Sequence, residues 1–226
     1  MTDSLQAGNP SSVSLSMRET LFGDIPQANF LPSKPSSLSV EPWKSFFQAK
    51  ELGDAGDKSG ESGTLRQIAE MPGLESRVYL QAWHFLRELG HKPPAEKEKE
   101  VLGVVVEAAM PKGLDIVAAY ADHRARYYNF SGAAIIWECP DNTLDTEIDA
   151  VLKAASIAAQ SCGPWEGARP PAPVGDHVRL SFLTPSGIHF GEAPMNAMGR
   201  EKIGGPVLYA AIALMQRLIA HAKKHK

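Results

Sequence analysis

Little in this chain announces chemistry, and each shortage narrows its class. Only 2 cysteines occur in 226 residues, too few for a disulfide scaffold. Cys139 and Cys162 form no CxxC pair and have no histidine at zinc-finger spacing, so the spacing predicts reduced thiols and no metal. No run of 18 apolar residues is present, so neither a membrane-spanning helix nor a membrane partner is expected. Charge of one sign is also missing. Lys and Arg total 23 against 26 Asp and Glu, a formal charge of −3, which speaks against a nucleic-acid partner because phosphate binding needs a surplus of cations. Residues 1–20 lack the basic start and compact apolar stretch of a secretory leader, so the expected location is cytoplasmic. Glycine-rich dinucleotide or phosphate loops, HExxH and GxSxG are all absent, and no cofactor is expected.

What is present divides into three parts. Residues 1–40 hold 9 Ser and 4 Pro and read as a flexible N-terminal arm. Within it the stretch 21–31, with Phe22 and Phe30, is apolar enough to dock on something. Few core contacts are expected from this arm, so trimming residues 1–40 should leave the remainder folded. Residues 41–91 read as a small helical segment, with helices over 42–52, 64–71 and 74–89. A polar loop carrying four glycines joins the first two.

Residues 92–226 read as an α+β domain. After the charged link 92–100, 24 of the 37 residues from 101 to 137 are apolar. Strands are predicted over 101–109, buried on both faces, and over 114–121. A third begins at 125 and continues to 138 past a Ser131-Gly132 bulge. A helix over 144–161, strands over 178–183 and 188–190, and a last helix over 204–222 complete the list. Short connections make neighbouring strands antiparallel. The expected architecture is therefore a five-stranded antiparallel sheet with helices on one face, in the order α-β-β-β-α-β-β-α. That element order is similar to the secretion-chaperone-like fold. The three N-terminal helices weakly resemble one and a half tetratricopeptide-type hairpins, which must pack on something to bury their apolar sides.

One polar constellation stands out, residues 122–132 around the third strand. Strand alternation puts Arg124, Arg126 and Tyr128 on one face, and Ala125, Tyr127 and Asn129 on the other. Two guanidinium forks suit a carboxylate or phosphate. An enzyme would add His189, oriented by Asp115 or Asp122. Against this stands the ordinary polarity of turns and solvated sheet faces. Trp165, in a stiff Gly/Pro loop, suits an exposed anchor. The candidate binding residues are thus Arg124, Arg126, Tyr128, Asn129, His189, Trp165, Phe22 and Phe30. No catalytic residue is assigned. Without a catalytic motif, the expected function is a protein-interaction module: an adaptor, chaperone or immunity-type factor. It would bind a protein partner, or a second copy of itself as a homodimer, through a sheet face or edge and the N-terminal arm. The alternative is a small enzyme or small-ligand sensor built on the Arg/Tyr/Asn/His cluster, which requires those groups to converge.

Overall fold

A computed structural model describes residues 17–31 and 39–224. Parts of the expected arm, residues 1–16 and 32–38, lie outside the described residues. The elements are α1 (Gln27–Phe30), α2 (Trp43–Asp54), α3 (Lys58–Glu70), α4 (Ser76–Glu88), β1 (Gly103–Met110), β2 (Gly113–Tyr120), β3 (Ala125–Tyr128), β4 (Ala134–Trp137), α5 (Asp145–Ala159), β5 (His177–Thr184), β6 (Gly187–Pro194), α6 (Met195–Met198) and α7 (Gly204–Lys224). The strands form one open antiparallel sheet ordered β4-β3-β2-β1-β5-β6. No helix among the described residues is long and apolar enough to cross a membrane.

The α+β class and the antiparallel sheet are as expected, but the sheet has six strands, not five. The supposed bulge at Ser131-Gly132 is a complete turn. Asn129 Oδ1 accepts hydrogen bonds from Ser131 N, Ser131 Oγ and Ala133 N, and Gly132 takes φ 87°. The aspartate-like side chain of asparagine thereby organises its own turn and reverses the chain. The extra strand departs from the order on which the likeness to the secretion-chaperone-like fold rested. Helix α3 also starts earlier than expected, inside the glycine-bearing loop. Asp57 caps it by accepting from Gly60 N at 2.9 Å. A Cβ at Gly53 would meet the Glu61 carboxylate at 2.7 Å, so that side chain would have to move aside.

The sheet is covered on both faces, which corrects the expected single helical layer. Val104, Val106, Val117, Val178, Leu180 and Phe182 pack against Ile148 and Val151 of α5 and against Val207, Leu208 and Leu214 of α7. The opposite face, with Val105, Leu114, Ile116, Ala118, Tyr120 and Leu183, packs against Leu80 of α4 and against Leu21 and Phe22. Alternation explains this: β1 is apolar at both odd and even positions, and each side needs a cover. A third cluster, Phe46, Ala49, Leu65, Ile68, Ala82, Phe85 and Leu86, holds α2, α3 and α4 together.

Core contacts do originate before residue 40. Leu21 is fully buried, worth about 1.5–3 kcal/mol on its own. Arg18 reaches the carboxylate of Glu107, which has no solvent exposure, through two guanidinium nitrogens. Arg179 adds its charge at 3.9 Å. Removing one partner of a buried pair costs about 3–5 kcal/mol, because the other is left uncompensated. Arg18→Met is therefore expected to lower unfolding stability by roughly that much, measured by urea denaturation. An Arg18→Met/Glu107→Leu chain should recover most of the loss. Unchanged stability in the single variant would show that Arg179 suffices for Glu107.

Candidate functional site

A cleft of about 700 Å³ opens at one corner of the sheet. Its walls come from four parts of the chain: the segment 18–26, the C-terminal half of α4, the proline-rich loop 164–169 and the β5–β6 turn. Ion pairs to a common centre hold the two irregular walls. Arg18 donates to Pro170 O at 3.0 Å and Arg179 to Pro171 O at 2.5 Å, while both approach Glu107. Arg169 then crosses from loop to arm. It pairs with Asp24 at 2.7 Å and with Glu19, and its guanidinium lies 4.3 Å from the Phe22 ring centre. Burial pushes the Glu19 carboxyl up, but Arg169, with Arg18 behind it, more than reverses this and holds it below the usual carboxylate range.

Arg87 is different. Its Nη1 donates to Pro185 O at 2.7 Å. Among the described residues no carboxylate oxygen lies within 4 Å of it. Burial pulls the guanidinium down to about 10, against the weaker opposing pull of Asp24 and Glu88. It stays charged at neutral pH, a half-buried cation without an ion-pair partner. His84, beside it, is lowered by burial and held neutral, with Glu88 at 3.5 Å. At the rim Trp165 is 50% exposed. Its ring rests on Phe190 at 5.2 Å and its Nε1 donates to Ala168 O. The cleft thus offers a half-buried cation and an exposed aromatic ring.

Of the residues singled out from sequence, the cleft joins only Phe22 and Trp165. Phe22 is buried between Arg18 and Arg169. Phe30 sits apart, ringed by Trp43, Phe46 and Phe85. The polar strand cluster lies at the other side of the sheet, and its members are occupied. Arg124 pairs with Asp122 and Glu138. Arg126 is buried, donating to Ala125 O and Trp137 O at 2.9 Å and to Glu138. Tyr128 is core, and the Asn129 side chain closes the β3–β4 turn. His189, paired with Phe182 across β5, faces the α5/α7 layer, whereas Arg126 and Tyr128 face the other way. With β2, β1 and β5 between β3 and β6, these groups do not converge. Neither expected carboxylate orients His189. Asp122 instead accepts from Ser76 N at the start of α4, and Asp115 accepts from Phe130 N and the Tyr127 hydroxyl.

His189 has another neighbour. Its Nε2 lies 3.0 Å from Ser186 Oγ and its Nδ1 3.0 Å from Cys162 O. Burial lowers its pKa, so the ring is neutral at pH 7. Ser186 lines the cleft. Its hydroxyl also donates to Glu98 O at 2.6 Å, which draws the proton away from the imidazole. Sequence reading missed Arg87, Arg169 and Ser186. Arg87 in the last turn of a helix reads as an ordinary dipole partner. Arg169, close to Trp165 in a proline-rich loop, carried a usable signal. No family model matches the chain, and no curated protein or solved structure matches it.

Two outcomes follow from these partner sets. Arg126→Ala should destabilise the fold by about 1–3 kcal/mol, since it strips buried carbonyls of their donor. Arg124→Ala, on a partly exposed ion pair, should cost under about 1 kcal/mol by the same urea measurement. The second concerns acid. Burial raises the Glu192 carboxyl, and Arg179 with His177 more than compensates, so it too sits below the usual range. Carboxyls depressed in the folded state contribute fully above the unfolded value and lose that contribution as pH falls through the folded one. The calorimetric Tm should be flat from about pH 7 to 5 and fall below about pH 4. Arg169→Gln should start lower and lose less on acidification; an equal loss would remove Glu19 as a contributor.

Proposed function

We propose that this protein is a protein-interaction module that docks an acidic segment of its partner in the cleft between the N-terminal segment and the proline-rich loop. The observation that carries the reading is Arg87: a half-buried guanidinium with no carboxylate within 4 Å, lining an open cleft. A partner carboxylate would supply the missing charge through a bidentate pair. Trp165 at the rim gives the apolar anchor that such interfaces use. The sheet faces, first considered for binding, are both covered by chain. Of the edges, β4 is 4 residues long, a short template for strand addition or a homodimer. At β6 the loop already occupies a carbonyl, Trp165 N donating to Ile188 O at 2.7 Å.

A second reading rests on Ser186. A hydroxyl 3.0 Å from a neutral imidazole, whose other nitrogen is held by a carbonyl, is the arrangement of an activated nucleophile. In that reading Arg87 would orient an anionic substrate. The competing bond to Glu98 O makes it the weaker of the two.

The test compares affinity capture from host lysate by the full chain, Arg87→Gln and Trp165→Ala, at 0.5 M salt. That salt screens purely electrostatic contacts. A stoichiometric partner should be retained by the parent chain and lost by both variants, with purified-pair affinities down about tenfold or more. A partner kept by both variants would place the interface elsewhere. Covalent labelling of Ser186 by a fluorophosphonate, abolished in Ser186→Ala, would establish the enzymatic reading instead.

A further inference from the structure

A second set of groups meets at the opposite edge of the sheet, away from the cleft. The β2–β3 turn carries His123, the chain leaving β4 carries Cys139, and α5 begins with Asp145. One donor atom from each, a ring nitrogen, Sγ and a carboxylate oxygen, lies within 4.8 Å of the other two. Residues 123, 139 and 145 show no metal-ligand spacing in sequence; the sheet's hairpins bring them together. His123 and Cys139 are the non-glycine residues with positive φ among the described residues, at 59° and 55°. A β-carbon rarely adopts that conformation without compensation.

One acceptor among these groups is left unmatched. Asp145 Oδ1 is buried and has no hydrogen-bond partner. It lies 3.5 Å from His123 Nδ1. The other ring nitrogen, Nε2, lies 3.0 Å from Asp149 Oδ1. A neutral histidine that donates Nε2–H to Asp149 turns the Nδ1 lone pair towards Asp145, so two acceptors face each other. A metal ion between them removes that conflict. The carboxylate behind the histidine is then the usual support of a metal-bound imidazole, fixing its tautomer and orientation.

We propose that His123, Cys139 and Asp145 bind a divalent transition metal of the zinc class, with Asp149 as the supporting carboxylate. A thiolate, an imidazole and a carboxylate are a mixed donor set that suits zinc, and three protein ligands leave one position for solvent or a ligand. Zinc bond lengths and tetrahedral angles put such donors roughly 3.3 to 3.6 Å apart. The His123–Asp145 pair already has that separation, and Cys139 has to close by at most about 1.5 Å. The His123 and Asp145 side chains are 33% and 29% exposed, so the cluster lies near the surface.

The experiment titrates zinc into the full, reduced, chelator-treated chain against a chromogenic competitor, and repeats it with cobalt read by absorbance. One zinc per chain and a thiolate-to-cobalt charge-transfer band are expected. Cys139→Ser should lose the band and at least about tenfold in affinity. His123→Asn should lose affinity similarly, asparagine being chosen because it tolerates positive φ. Asp149→Asn should weaken binding by about 10–100-fold with the band retained. Melting temperatures near the parent value confirm that the variants are folded. Absence of stoichiometric zinc on the parent chain would overturn the proposal. Zinc held equally well by Cys139→Ser and His123→Asn would overturn it too, since the ion would then sit elsewhere.

Discussion

Much of this molecule is arranged around one carboxylate that water does not reach. Glu107 sits in β1, the strand buried on both faces, and has no solvent exposure. An isolated ionised carboxyl in that position would cost more than the fold gains in net stability. It is tolerable only because Arg18 and Arg179 come to it. Those two arginines hold the carbonyls of Pro170 and Pro171 with their remaining donors. One buried charge therefore fixes the N-terminal segment, the proline-rich loop and the spacing between them. Without it, an irregular N-terminal segment and a loop that cannot form regular structure would have no reason to face each other across a cleft.

The same accounting separates structural arginines from functional ones. Arg126 looks exposed in a strand-turn sequence, yet it is buried with two carbonyls and a carboxylate. Arg124 and Arg169 are likewise neutralised by neighbours from the same chain. Arg87 has one carbonyl and a cleft. Guanidinium is costly to desolvate, so a half-buried one lacking a carboxylate is a stored preference for an anion. The count of partners, not the residue type or its local motif, distinguishes these four.

How much could be read beforehand follows from the range over which each feature is determined. The strand runs Val104–Val106 and Ile116–Val117 were legible, because β-branched residues between short turns admit few other readings. The apolar odd and even positions of β1 already implied two covers, and the arm's Leu21-Phe22 supplied half of the second. The β3–β4 turn was not legible as a turn, since Ser131-Gly132 fits a bulge as well as a reversal. Asn129 decides between them through a side chain whose partners cannot be read from order alone. The cleft was less legible still. Its charged groups, Glu19, Asp24, Arg87 and Arg169, are separated by up to 150 residues and meet only through tertiary packing. Phe22 and Trp165 were found because exposed-looking aromatics in irregular segments are unusual. Arg87 was not, because a cation in the last turn of a helix has a sufficient local explanation.

The cleft and the His123 cluster lie at the same end of the sheet, where β1 starts, β2 and β5 end, and the β2–β3 and β5–β6 turns project. They sit towards opposite edges, with β1 and β2 between β3 and β5. Three strand spacings amount to about 14 Å, beyond the range over which substitutions usually couple without a shared partner. Neither set shares a residue with the other. The cluster's groups come from the β2–β3 turn, the end of β4 and the start of α5; the cleft's come from the N-terminal segment, α4 and the loop before β5. Besides the sheet itself, α4 links them: its first residue is tied to Asp122 in the β2–β3 turn and its last turn carries Arg87. Its packing in the α2–α4 cluster and on Tyr120 and Leu183 makes it a rigid strut. The two features are therefore separable by substitution, and the failure of one assignment leaves the other standing.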